Sequence, residues 1–186
     1  MNCPVPVIAA VNGPAVGVGA TMTLPMDGRI LSTQARIGFV FSEIGFCMEG
    51  ASSWFLPRIV GMERALEWTL SGDIIDAEEA FAGGYGAKLV EPEALLPTAK
   101  AYAKRLITGG APVSIAVNRQ LLWRMAGASH PMEAHRLDTR LVWELSQGDG
   151  GEGVRAFQER RAPEFKRPIS EGPPVGLDRA AEPEFY

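Results

Sequence analysis

Apolar residues recur in two different patterns along this chain. Up to about residue 90 they form short runs rich in β-branched side chains, and glycine or proline ends most of these runs. Such runs are typical of buried strands. The pattern predicts strands at residues 5–11, 29–32, 35–38 and 88–90. Small and apolar residues at 17–26 predict one buried helix directly after a Gly-rich turn.

In the rest of the chain, most apolar residues recur at the spacing of a helix. A helical stretch is predicted after Ser52-Ser53, with Gly61 and Gly72 as stops. Residues 76–79, Asp-Ala-Glu-Glu, have the form of a capping box, which predicts a short helix that ends at Gly83. Four longer helices are then expected at 95–106, from Pro112, from Pro131, and at 152–161.

Strand and helix units thus come first and an all-helical section follows, which predicts an α/β fold with a helical C-terminal section. We expect a core at residues 1–108, a helical section at 109–168 that builds oligomers, and a mobile tail at 169–186, where proline, glycine and charge prevail. Trp123 and Trp143 lie on the predicted helices. Packing inside one subunit is favoured for them over a contact between subunits.

Composition narrows the function. The chain has 186 residues, of which 46% are hydrophobic, and a formal net charge of -4, so no general basic surface favours nucleic acid. Cys3 and Cys47 form no disulfide framework, and a reducing, cytoplasmic setting is expected. His130 and His135 are five residues apart, which predicts surface or capping roles and no metal site. No stretch predicts a membrane span.

The most informative segment is Asn-Gly-Pro-Ala-Val-Gly-Val-Gly-Ala at residues 12–20, directly after an apolar run. Backbone amides at such a turn are unpaired, and the aligned peptide dipoles favour negative charge beside them. An enolate oxygen would fit there. The alternative is that Gly17 and Gly19 only permit close helix packing. The segment matches only part of the dinucleotide-binding fingerprint, so a dinucleotide site is not favoured. The chain also has no phosphate-binding loop that ends in Gly-Lys-Ser or Gly-Lys-Thr, so nucleotide hydrolysis of that type is not expected.

A second informative segment, residues 46–53, holds the lone acid Glu49 among uncharged neighbours. Either Glu49 transfers protons, or it caps the helix that starts near Ser52. Glu43 is the reserve candidate for proton transfer. Ser52 and Ser53 lack the sequence context of a nucleophile, and helix capping is favoured for them.

The stretch from Ile8 to Ala20, with Asp27 beyond it, is similar to the signature of the crotonase superfamily, the enoyl-CoA hydratase/isomerase family. Five further segments match in the same order: Ala-Arg-Ile-Gly at 35–38, Pro-Arg-Ile-Val-Gly at 57–61, and the segments 70–77, 83–90 and 152–157. The resemblance covers residues 4 to about 167. It implies a spiral of ββα turns, a C-terminal part that builds trimers or dimers of trimers, and acyl-CoA thioester substrates.

The resemblance also implies site residues. The Val18 amide would be one of two donors to the thioester oxygen. Substrate-binding residues would be Gly17, Gly19, Phe41, Phe46 and Trp54. CoA arrives as part of the substrate, and no other cofactor is expected. The two glutamates that hydratases of this family use are replaced by Thr21 and Phe41.

Glu49 falls where the peroxisomal type of Δ3,Δ2-enoyl-CoA isomerase has its single catalytic glutamate, in a matching Glu-Gly-x-Ser-Ser context. The resemblance therefore implies a double-bond shift with Glu49 as acid and base, shielded by apolar neighbours that disfavour its charged form. The alternatives are a hydratase-type activity, or an inactive chain that only assembles with itself or a full-length relative. The family's N-terminal portion has no counterpart here, so we expect either a fragment or a shortened product whose core exposes an unpaired sheet edge. In both cases half an oxyanion hole is expected.

Overall fold

The computed structural model describes residues 3–172 and Leu177. These residues fall into two compact units, one within Val7–Arg105 and the other within Met1–Pro6 and Leu106–Tyr186. The predicted boundary after residue 108 remains a prediction. Most of the predicted mobile tail lies outside the described residues. Of its described part, Ile169–Glu171 forms a single 3₁₀ turn and the Leu177 side chain is buried.

Two three-stranded sheets form the framework of the first unit. In one sheet, β3 (Gly28–Ser32) lies between β1 (Ile8–Val11) and β6 (Lys88–Val90), and both pairings are parallel. In the other sheet, β4 (Arg36–Gly38) pairs in parallel with β2 (Pro14–Val16) and antiparallel with β5 (Ile74–Asp76).

The first four strands alternate between the sheets, because β1 and β3 each pass within a few residues into a strand of the other sheet. The helix α1 (Val18–Thr21) begins directly after β2. Helices also follow the second strand pair, as α2 (Ser52–Val60) and α3 (Met62–Ser71). This succession of ββα units confirms the predicted α/β class and the spiral that the resemblance implies.

The helices of this unit end at or next to the residues that the sequence indicates. Gly61 and Gly72 adopt φ of 84° and 74° and terminate α2 and α3. The Asp76 carboxylate caps α4 (Ala77–Ala82) by accepting the Glu79 N–H at 2.8 Å. The predicted reciprocal half of this capping box is wrong, because the Glu79 carboxylate accepts the indole N–H of Trp68 at 2.9 Å. Helix α5 spans Leu95–Ile107.

Three helices form most of the described second unit: α6 (Pro112–Met125), α7 (Pro131–Ser146) and α8 (Asp149–Glu159). Each starts within a few residues of its predicted start. Their shared core contains fully buried aliphatic side chains, namely Val113, Val117, Leu141 and Leu177. The capping role suggested for His130 is confirmed, because its Nδ1 accepts the Met132 N–H at 3.1 Å and the Glu133 carboxylate accepts its backbone N–H.

Two local predictions are wrong, and two short strands were missed. The helix predicted at 17–26 lasts only from Val18 to Thr21 and continues as turns. Strands β2 and β5 were not predicted, because strands of three residues leave too short a pattern for alternation to be recognised. Trp143 is 69% exposed, so it is not a core residue of this chain.

Within the described residues, no helix is both long and apolar enough to cross a membrane.

Candidate active site

The Gly-rich turn presents unpaired backbone amides. Gly17, with φ 55° and ψ −121°, joins β2 to α1, and its own N–H donates to the Gly38 carbonyl at 2.9 Å. The N–H groups of Ala20 and Thr21 both donate to the Gly17 carbonyl at 3.0 Å. Within the described part of the chain, no acceptor is bonded to the N–H of Val18 or of Gly19. The Val18 residue is 62% exposed, and an unpaired amide at such a turn is the kind of donor that binds an oxyanion.

A buried hydrogen-bond network holds this turn from behind. The Tyr85 hydroxyl lies 2.6 Å from the Thr23 hydroxyl and donates to the Ala20 carbonyl at 3.2 Å. The Thr23 hydroxyl donates to the same carbonyl at 2.8 Å. Burial raises the pKa of the Tyr85 phenol, which therefore remains a neutral hydrogen-bonding group. The segment that carries α1 is thus fixed to the core.

Arg29 on β3 extends this network. Its guanidinium donates to the Tyr85 carbonyl at 2.5 Å and to the Thr23 and Met26 carbonyls, each at 3.1 Å. Burial lowers the pKa of Arg29, and the nearby Tyr85 side chain partly offsets this. Arg29 also lies 5.4 Å from the centre of the Tyr85 ring. One side chain thereby ties the turns that follow α1 to the segment that carries Tyr85.

Glu49 is brought to the same turn. The Thr21 hydroxyl, on the last residue of α1, donates a hydrogen bond to Oε1 of Glu49. The same hydroxyl lies 3.3 Å from the carbonyl oxygen of Val18. A single buried threonine therefore connects the lone carboxylate to the residue whose amide is unpaired. The two segments singled out from the sequence meet here.

The backbone around Glu49 has an unusual conformation. Gly50 and Ala51 both adopt left-handed conformations, with φ of 59° and 57°. The chain then returns to the Glu49 carbonyl, which accepts the Ser52 N–H at 3.0 Å and the Ser52 hydroxyl at 2.6 Å. The helix-capping role expected for Ser52 is wrong, because the N-cap of α2 is Ala51 and the Ser52 hydroxyl donates to Glu49 instead.

The other predicted site residues differ in exposure. Phe41 is buried at 7% exposure, whereas Phe46 is 70% exposed. Trp54 is half-buried, and the Arg58 guanidinium lies 4.0 Å from its ring centre. Glu49 itself is exposed, so the prediction of an apolar shield around its carboxylate is wrong. The reserve candidate Glu43 is exposed, and its side chain packs against the Cα of Gly72.

A separate cavity of about 430 Å³ is lined by charged residues of both signs from α8 and the segment that follows it, among them Glu152, Arg155 and Arg161. The Arg161 guanidinium donates to the Glu152 carboxylate at 2.5 Å and to the Glu159 carboxylate at 2.6 Å. Since Arg161 is already bound by two carboxylates, its charge is largely neutralised.

Sequence reasoning missed the link between Thr21 and Glu49. It treated Thr21 only as the residue that replaces a hydratase glutamate. The two residues are 28 positions apart, and no local pattern pairs them. An unexplained hydroxyl residue at the end of the Gly-rich segment was the only signal available.

The arrangement defines an α/β protein built from ββα units, with an open amide and a carboxylate meeting at one Gly-rich turn. The sequence profile described as enoyl-CoA hydratase/isomerase matches residues 1–168. The chain therefore belongs to the enoyl-CoA hydratase/isomerase family, the crotonase superfamily to which the sequence motifs pointed.

Individual relatives differ in activity. The enoyl-CoA hydratase ACTT3 of Alternaria alternata is 38% identical over 172 residues, which are 91% of this chain and 57% of that protein. The 1,2-epoxyphenylacetyl-CoA isomerase of Escherichia coli K12 is 34% identical over 169 residues, which are 87% of this chain and 62% of that protein.

A solved structure extends the likeness to the fold. The crystal structure of enoyl-CoA hydratase from Bacillus anthracis superposes with a TM-score of 0.80 at 27% identity, covering 88% of this chain and 63% of that one. The chain thus spans between 57% and 63% of the lengths of these three relatives.

Proposed function

We propose that this chain carries the site of an enoyl-CoA isomerase of the peroxisomal Δ3,Δ2 type, with Glu49 as the single acid and base and the Val18 amide as an oxyanion donor. The observation that carries the proposal is the Thr21 hydrogen bond, which holds the Glu49 carboxylate beside the turn with the open amide. Family membership supplies the substrate class, an acyl-CoA thioester. CoA enters as part of the substrate, and the proposed reaction uses no further cofactor.

The proposed reaction is a proton shuttle. The Glu49 carboxylate takes a proton from the carbon next to the thioester carbonyl of a 3-enoyl-CoA, and the electron pair moves onto the carbonyl oxygen. The Val18 N–H stabilises that enolate oxygen, an interaction worth about 2.7–4 kcal/mol for one such donor. Glu49 then returns the proton two carbons further along, and the double bond becomes conjugated with the carbonyl.

The remaining predicted residues shape the site in this proposal. Gly17 and Gly19 let the backbone approach the thioester, since neither adds a side chain at the turn. Phe46 and the half-buried Trp54 supply apolar surface for the acyl chain, and the buried Phe41 supports Phe46, whose N–H its carbonyl accepts at 2.9 Å. The exposure of Phe46 is consistent with a surface that the substrate covers.

A hydratase-type activity is the second candidate, because several relatives, including ACTT3, are hydratases. Syn hydration requires one group that activates water and another that delivers a proton. The two positions that hold glutamates in hydratases of this family are Thr21 and Phe41 here. Neither side chain ionises at neutral pH. A single carboxylate therefore supports the double-bond shift better than hydration.

We also propose a homo-oligomer, a trimer or dimer of trimers, in a cytoplasmic setting. Large apolar side chains of the helical unit are exposed, with Trp143 at 69% and Phe157 at 85%. Exposed apolar side chains of this size are typical of surfaces that another subunit covers.

The test is an assay with a 3-enoyl-CoA in which formation of the conjugated 2-enoyl thioester is followed. Glu49→Gln keeps the size of the side chain and removes the base, so we expect turnover to fall about 10²–10⁴-fold. Glu43→Gln is the matched control and should retain the wild-type rate. Turnover that survives Glu49→Gln would remove Glu49 from the mechanism. No turnover by an intact wild-type oligomer would favour the inactive chain that only assembles.

A further inference from the structure

We propose that Thr21 is a positioning residue that fixes the Glu49 carboxylate and leaves Oε2 as the oxygen that carries the proton. The inference rests on the proposed function, because it assigns a role within the same reaction. It concerns a residue whose family counterpart is an acid and whose hydroxyl has a different use in this chain.

The Thr21 hydroxyl is committed to Glu49. Thr21 is 1% exposed, so its hydroxyl proton cannot be shared with bulk water. It has two acceptors within reach, the Glu49 carboxylate and the Val18 carbonyl. The Val18 carbonyl already accepts the Met22 N–H at 3.0 Å, and a carboxylate is the stronger acceptor. The single proton of Thr21 therefore goes to Oε1 of Glu49.

Position and orientation of Glu49 are fixed separately. The Ser52 N–H and hydroxyl both bind the Glu49 carbonyl, which fixes the backbone. Gly50 packs against Thr21, since a Cβ placed on Gly50 would lie 3.4 Å from the Thr21 hydroxyl oxygen. The carboxylate itself is exposed and can rotate about its side-chain bonds unless an oxygen is held. The Thr21 hydrogen bond is the contact that holds it.

The chemical consequence is a division of labour between the two carboxylate oxygens. Within the described residues, no protein group is bonded to Oε2 of Glu49, whereas Oε1 is bound by Thr21. Proton transfer needs an oxygen with a free lone pair aimed at the substrate carbon. Oε2 meets that requirement, and its direction is set through Oε1. Loss of the Thr21 hydroxyl leaves the base present but no longer oriented.

Two substitutions separate the effect of the Thr21 hydroxyl from the effect of the side chain's shape. Thr21→Val keeps the shape of the side chain and removes the hydroxyl, whereas Thr21→Ser keeps the hydroxyl. We expect Thr21→Val to lower kcat by about 10- to 10²-fold, because small misplacements of a catalytic group are costly. KM should stay near the wild-type value, since Thr21 does not contact the substrate. Thr21→Ser should restore most of kcat.

The control is Thr69→Val. The Thr69 hydroxyl donates to the Ala65 carbonyl at 2.7 Å inside α3, so this variant also loses a threonine hydroxyl bonded within the protein. It should leave kcat unchanged. If Thr21→Val does not fold, as judged by circular dichroism, Thr21→Ala compared with Thr21→Ser tests the same hydroxyl.

The outcomes separate the two proposals. A Thr21→Val enzyme with wild-type kcat, beside an inactive Glu49→Gln enzyme, overturns the role of Thr21 and leaves the proposed function standing. A Glu49→Gln enzyme with wild-type kcat overturns the proposed function. In that case, crystal structures of Thr21→Val and Thr21→Ser test whether Thr21 orients the Glu49 carboxylate. A carboxylate that has not moved in Thr21→Val overturns this role. A carboxylate that is rotated in Thr21→Val and has the wild-type orientation in Thr21→Ser supports it.

Discussion

Gly17 has a backbone conformation that a residue with a Cβ avoids. Its φ of 55° with ψ of −121° lies outside the regions open to L-residues, and this conformation turns the chain so that the Val18 amide is left open. No atom lies within 4 Å of a Cβ built on Gly17. The requirement for glycine here is therefore conformational and not a matter of space.

We predict that Gly17→Ala lowers the free energy of unfolding by about 1–3 kcal/mol, the usual cost of a strained backbone position. Urea denaturation measures the change. Gly13→Ala is the control, since Gly13 also has open space around its Cβ position but no positive φ. Gly13→Ala should not destabilise the protein. Equal losses in the two variants would contradict the conformational explanation.

At the scale of elements, the four-residue helix α1 is too short to be stable by itself, so its position depends on neighbours. The Tyr85 hydroxyl, arriving from the segment before β6, binds the Ala20 carbonyl and the Thr23 hydroxyl. Arg29 on β3 binds the carbonyls that follow. The open amide of the site is thus held in place by groups that lie far from it along the chain.

We predict that Tyr85→Phe lowers the free energy of unfolding by about 1 kcal/mol, because a buried hydroxyl loses its partners. Differential scanning calorimetry or urea denaturation can measure this. Tyr102→Phe is the matched control, since among the described residues its hydroxyl makes no hydrogen bond, and its effect should stay within about 0.5 kcal/mol. A neutral Tyr85→Phe substitution would show that the network does not support α1.

Helix α8 offers a test by pH. The hydrogen bond from Arg161, followed by the Glu164 backbone N–H, lowers the pKa of Glu152 from 4.5 to about 2. A carboxyl with a lowered folded pKa stabilises the protein above its unfolded pKa of 4.5, and this contribution is lost as the pH falls toward about 2.

We therefore expect wild-type stability to decline more steeply than that of Glu152→Gln as the pH falls from 4.5 toward about 2. Urea midpoints over that range compare the two proteins. Parallel curves would mean that Glu152 has no lowered pKa in the folded state.

At the scale of the whole molecule, the helical unit has large apolar side chains that this chain leaves exposed. Phe157 on α8 is 85% exposed and Trp143 on α7 is 69% exposed. Neither residue contributes to the buried cluster of this unit, which is built from aliphatic side chains. The proposed homo-oligomer gives these side chains a partner.

We predict that Phe157→Glu shifts the protein from oligomer to monomer without unfolding it, because a charge cannot be buried in an apolar contact. Light scattering coupled to size-exclusion chromatography measures the mass. Gln158→Glu adds the same charge at the neighbouring exposed position and should leave the oligomer intact. An oligomer that survives Phe157→Glu would exclude this surface from the contact.

How far the sequence predicts the structure varies with the range of the interactions. Helix ends at Gly61 and Gly72, the Asp76 cap and the strands at β3, β4 and β6 follow from neighbouring residues, and all were predicted. Strands β2 and β5 were not predicted, because three-residue strands are stabilised by partners in the sheet. The shield expected around Glu49 was wrong because adjacency in sequence does not produce burial.

By itself, the sequence determined the α/β class, the helical second part, the family, and the two segments that contain Val18 and Glu49. Those features depend on local periodicity and on motifs within a few residues. Only the tertiary structure decided that Thr21 joins the two segments, that Ser52 binds the Glu49 carbonyl, and that Tyr85 and Arg29 hold α1. The Thr21, Tyr85 and Arg29 contacts include residues far apart in the chain, and folding alone brings such residues within hydrogen-bond distance.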